Sequence, residues 1–93
     1  MMTAERIEAL EAKGFKRWQK GKMDRLYINA KELGLECTYY NTGSISSARF
    51  NGERISNSEA RRIRDAKTYI DVATGELHST NWMCEEAAEA LMA

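Results

Sequence analysis

Six glycines and no proline punctuate this chain, and they leave no uninterrupted stretch for a long helix or a long strand. Gly14, Gly21, Gly34, Gly43, Gly52 and Gly75 each stand where a patterned run stops and a turn or left-handed residue is wanted. The strongest signal is Asn51-Gly52, the dipeptide favoured in two-residue hairpin turns. A chain divided this way folds into short hairpins and short helices.

The runs between the glycines carry their own signatures. Thr3 heads a helix in which Ala4, Ile7 and Leu10 lie opposite Glu5, Glu8 and Glu11, and Gly14 ends it. Phe15 to Gln19 and Met23 to Asn29 read as strands around Lys20-Gly21-Lys22. Asn29 caps a helical turn, Ala30 to Leu33, that Gly34 stops. Glu36 to Tyr40, Ile45 to Phe50 and Glu53 to Ile55 form a meander. Ser56 and Glu59 make a capping box for a helix reaching about Lys67. Lys67 to Ala73 and Glu76 to Ser79 flank Thr74-Gly75 as a last hairpin, and Asn81 or Thr80 caps a C-terminal helix. This order predicts an α+β fold: a single small antiparallel sheet of short hairpins with about three helices packed on it, in one domain over residues 1–93.

No stretch approaches the roughly 18 apolar residues of a membrane span, and the start, Met1 to Arg6, lacks the apolar core of a signal peptide. Cys37 and Cys84 stand far apart and outside any C-x-x-C motif. Together these predict a cytoplasmic protein with reduced thiols and no membrane partner.

The formal net charge is zero, yet the signs are sorted along the chain. Lys13, Lys16, Arg17, Lys20, Lys22 and Arg25 face Asp24 alone in their segment. Arg49, Arg54, Arg61, Arg62, Arg64 and Lys67 form a second basic stretch, and beyond Lys67 there is no Lys or Arg. Such sorting points to an electrostatic partner, or to closure within the fold, the basic strands against the acidic C-terminal helix. A two-residue turn at Gly21-Lys22 pairs Lys20 with Met23, Trp18 with Arg25 and Lys16 with Tyr27. Phe15, Leu26 and Ile28 then point to the core, and Lys16, Trp18, Lys20, Arg25 and Tyr27 point outward. A three-residue loop would instead put Trp18 on the face of Leu26.

The Asn51-Gly52 turn sets Arg49 opposite Arg54, a repulsive pair that calls for an acidic neighbour or partner. The following helix adds Arg61, Arg62 and Arg64 beside the apolar stripe Ala60, Ile63, Ala66, with Asp65 and Glu59 at pairing distance from Arg61 and Arg62. On the C-terminal helix, Met83, Ala87, Ala90 and Leu91 are the predicted buried stripe. Trp82, Glu85, Glu86 and Glu89 form an acidic second surface.

Catalytic constellations are not evident. His78 is the one histidine, expected opposite Asp71 in the last hairpin, a surface pair rather than a base with its orienter. Cys37, His78 and Cys84 fall one ligand short of a structural zinc site. No phosphate-binding glycine loop occurs. These absences predict a non-enzymatic, macromolecule-binding protein with no cofactor.

The stretch Arg17-Trp18-Gln19-Lys20-Gly21-Lys22-Met23-Asp24-Arg25-Leu26-Tyr27-Ile28-Asn29, with Gly52 to Ala60 later, resembles small uncharacterised proteins of phages, plasmids and conjugative elements of Gram-positive bacteria. The resemblance covers roughly two-thirds of the chain. That group includes anti-CRISPR proteins, so the resemblance implies a stoichiometric inhibitor whose protein partner is a Cas effector or its nucleic-acid complex. It carries over no inhibitory residue. The alternative from the residues themselves is a small nucleic-acid-binding accessory protein using the basic and aromatic hairpin face. A homodimer joining basic and acidic halves is a further possibility.

Overall fold

The computed structural model describes all 93 residues. Thr3 Oγ1 accepts from the Arg6 amide at 3.1 Å and opens helix α1 (Ala4–Ala12). Strands β1 (Lys16–Lys20) and β2 (Met23–Ile28) follow. Asn29 Oδ1 then accepts from the Glu32 amide and starts the single turn α2 (Ala30–Leu33). The meander is β3 (Leu35–Tyr39), β4 (Ile45–Phe50) and β5 (Glu53–Ile55). The Ser56/Glu59 capping box forms as expected and opens α3 (Asn57–Asp65). Strands β6 (Thr68–Asp71) and β7 (Leu77–Ser79) lead to α4 (Trp82–Met92), capped by Asn81.

The α+β class holds, with the strands divided between two antiparallel sheets, ordered β1-β2-β6-β7 and β3-β4-β5. The division follows from edge occupancy. One edge of β2 pairs with β1 and the other with β6, so no edge remains for β3. The α2 turn carries the chain away before the meander starts. Four helices pack on these sheets when α2 is counted.

Both sheets share one core. A single cluster of 16 buried side chains draws on Leu26, Ile28 and Ile70 of one sheet, Leu35, Ile45, Ala48 and Phe50 of the other, and all four helices. Phe15, Leu26 and Ile28 are buried, as the two-residue turn requires. In α4 the buried positions are Cys84 and Ala88, while Met83, Ala87 and Leu91 are half-buried and Ala90 is exposed. The packed stripe is thus centred one residue beyond the expected one, where two small side chains share a face at i, i+4. Cys84 Sγ reaches the Ile63 carbonyl at 3.8 Å. The far end of α4 is closed by α1: the Arg6 guanidinium donates to the Met92 carbonyl and Lys13 Nζ donates to Leu91 O at 2.5 Å. Two cations thus sit at the negative end of the α4 dipole.

Gly34 ties the two halves of the meander together. Its φ is +117°, and its carbonyl accepts from the Asn51 amide at 3.0 Å. A Cβ there would overlap Asn51 Oδ1, whereas one at Gly43 (φ +88°) would meet open space. Gly34→Ala should therefore lose clearly more stability in urea unfolding than Gly43→Ala, which carries only the roughly 1–2 kcal/mol of left-handed strain. Equal losses would show that the Asn51 approach does not constrain the fold.

Candidate nucleic-acid interface

The Gly21-Lys22 turn sets the register in which Lys16 pairs with Tyr27, Trp18 with Arg25 and Lys20 with Met23. Trp18 is therefore on the outer face with Arg25 and Tyr27, and 39% exposed. The reverse face of the hairpin is held by a two-point contact. Arg17 Nε and Nη2 donate to the Asp24 carboxylate at 2.9 and 2.6 Å. The contact holds the Asp24 carboxyl below its ordinary range and pushes Arg17 up.

Sequence reasoning missed two residues of this face, Tyr69 and His78. Lys16, Tyr27, Tyr69 and His78 form one continuous cross-strand row over all four strands. The signal for Tyr69 was the alternation of Tyr69 and Asp71 with buried Thr68, Ile70 and Val72. His78 does not face Asp71 as expected. The connection closes with Asp71 N donating to Glu76 O, which makes Asp71 face Glu76 and places His78 opposite Tyr69. The Asp71 carboxylate is turned to the Ala73 amide at 2.9 Å. The expected His–Asp surface pair is thus replaced by a ring stack, with Glu76 Oε2 at 4.0 Å from His78 Nε2.

The rings make a ladder. Trp18 meets Tyr27 edge-to-face at 6.0 Å, Tyr27 meets Tyr69 at 5.2 Å, and Tyr69 stacks on His78 at 5.1 Å. The Arg25 guanidinium lies 4.2 Å over the Tyr69 ring, and its Nη1 donates to the Tyr27 hydroxyl at 2.9 Å. That hydrogen bond, first among its surroundings, raises the Arg25 pKa. No carboxylate lies within ion-pair distance of Arg25. The inner rings, Tyr27 and Tyr69, hold the arginine. Trp18 and His78 stand at the two open ends.

Beside the ladder lies a cleft of about 450 Å³ lined by Lys16, Trp18, Tyr27, Arg64 and Lys67, with no acidic side chain on its walls. Arg64 is the one predicted arginine of α3 that reaches this region. Its Nε donates to Asp65 at 3.1 Å, which raises its pKa. The pairings expected on α3 do not form, because Glu59 is committed to the Ser56 cap and Asp65 to Arg64. Arg61 is exposed without an ion pair, as is Lys20. Arg49 and Arg54 face each other on the second sheet, as the turn requires, with Glu36 in register beside Arg49. Arg49 Nη1 donates to Gly52 O at 3.2 Å. Neither arginine lines the cleft beside Trp18.

The acidic surface does not close on the basic one. Trp82 is 67% exposed, and Glu85, Glu86 and Glu89 are exposed without a basic group in ion-pair range. Cys37, His78 and Cys84 belong to no group of side chains placed to hold a metal ion. No helix is long and apolar enough to cross a membrane. No protein-family model matches the chain, and no curated protein or solved structure matches it.

The two thiols differ in access. Cys84 is buried and its pKa is pushed up by desolvation, whereas Cys37 is half-buried on the wall of a second cleft. An aromatic disulfide reagent at pH 8 should titrate one thiol in the native protein and the second only after denaturation. Mass spectrometry should assign the first to Cys37, and equal native reactivity would contradict this packing.

Proposed function

We propose that this protein binds single-stranded nucleic acid, without catalysis, on the outer face of its four-stranded sheet. The observation that carries this reading is the ring ladder Trp18–Tyr27–Tyr69–His78 with Arg25 clamped over it. Sheet-borne aromatics accept unstacked bases, and each stack is worth about 1–3 kcal/mol. Bases of a duplex are already stacked on one another and cannot use such a platform. Lys16, Lys20 and Lys67 stand beside the rings to meet phosphates.

A second reading has its own observation. The exposed Trp82 with unpaired Glu85, Glu86 and Glu89 fits docking on a basic protein groove. It would serve a stoichiometric inhibitor of a nucleic-acid-handling effector of the Cas kind.

Fluorescence anisotropy with labelled single-stranded and duplex oligonucleotides separates the two. The first reading expects single strands to bind preferentially, with a salt slope of about −2 to −3 for three or four neutralised phosphates. Trp18→Ala should weaken binding about 5- to 150-fold, and Trp82→Ala should leave it unchanged. Absence of single-strand binding at low salt would overturn the first reading and leave the acidic helix as the working surface.

A further inference from the structure

The cleft beside Trp18 does not end at the sheet. It shares Asn29, Ala30 and Arg64 with a second cleft of about 690 Å³, which runs along β3 to Cys37 and Tyr39. The cations are spaced along both: Lys16 and Lys67 in the first, Arg64 at the junction, Lys31 in the second. Glu36 is the one acid on these walls. Tyr39 is 52% exposed, and the strand register shifts between Thr38 and Tyr39, an irregularity of the kind that re-aims a side chain at a sheet edge. The Tyr39 hydroxyl is pushed up in pKa chiefly by Cys37, two residues away on the same strand.

From this continuity we infer that the two clefts form one track, along which a single strand leaves the Trp18 platform, passes Arg64 and stacks a further base on Tyr39. The inference rests on the proposed single-strand reading and adds a path and a second stacking residue. Phosphates fit the junction because Arg64 is held there by one exposed ion pair with Asp65, through Nε alone. Such a pair is weak in water, and the remaining guanidinium donors are free for a phosphate. Small single-strand-binding domains cover roughly 4–16 nucleotides, which sets the range of lengths that tests the track.

The test uses the full chain with oligothymidylates and oligouridylates of three, six and nine nucleotides, followed by anisotropy at low salt. Affinity should rise at least about tenfold from three to six nucleotides and then level off. Tyr39→Ala and Lys31→Ala, both at exposed positions, should remove that gain while leaving the trimer unchanged. Trp18→Ala should weaken every length. Blocking Cys37 with a bulky maleimide should reproduce the Tyr39→Ala result without any substitution. If the trimer binds as tightly as the hexamer, or if Tyr39→Ala and the Cys37 block change nothing at any length, the track is overturned and the sheet platform stands. If no oligonucleotide binds, both fail together.

Discussion

The antiparallel pairing of β2 with β6 brings Leu26 beside Ile70 and Tyr27 beside Tyr69 in adjacent rungs of one ladder. Leu26 and Ile70 are fully buried and belong to the core cluster that both sheets share. On the opposite face, the neighbouring rung closes the distance between the two tyrosines to 5.2 Å and makes the seat for Arg25. Core and platform are thus two faces of the same four residues. A change that slips this pairing by one residue would expose Ile70 and bury Tyr69, so the site is specified as firmly as the fold. The rest of the molecule is arranged around this contact: the meander is a long excursion between its two strands, and β1 and β7 extend it at each edge.

Electrostatics follow from where each charge finds a partner. Arg17 is taken by Asp24, and Arg6 and Lys13 are taken by the last carbonyls of α4. These contacts remove three cations from the helix and hairpin surfaces but none from the ladder. Glu59 and Asp65 are likewise occupied, one by a cap and one by Arg64. Among the charges left without an ion pair, Lys16 and Lys67 lie in the cleft beside the rings, while Glu85, Glu86 and Glu89 lie on α4. The neutral formal charge hides this separation, since neutrality summed over a chain says nothing about the field at one face.

The local features were legible from residue types because they are closed by local geometry. A two-residue turn dictates register, which is why Trp18 opposite Arg25 and Arg49 opposite Arg54 could be read without a structure. Caps are equally local, and Ser56, Asn29 and Asn81 all act where their residue type says they should. The unread part depended on strands meeting across long sequence separations. Nothing near Tyr27 announces Tyr69, so half the ladder stayed hidden, and with it the division into two sheets. The His78 register failed for a different reason. The connection from Asp71 to Glu76 takes its shape from the Asp71 side chain bonding the Ala73 amide, a detail that Thr74-Gly75 alone does not reveal.

A domain with no net charge has little long-range field with which to steer a polyanion, so on the proposed reading its affinity must come from short-range contacts. The ladder suits that demand. Tyr27 and Tyr69 are already packed, and Arg25 is already seated by a hydrogen bond and a ring, so little side-chain freedom remains to be lost when a base arrives. A loosely held arginine of equal charge would give up rotamer entropy at each contact. The same preorganisation favours flat, delocalised ligands, because the surface offers ring faces and a planar cation. A separate groove of about 390 Å³ lies between Trp82, Met83 and Ile55, where α4 meets the second sheet. This groove shares no residue with the two clefts near the ladder, which is why a base-stacking function and a protein-docking function need not compete for the same residues.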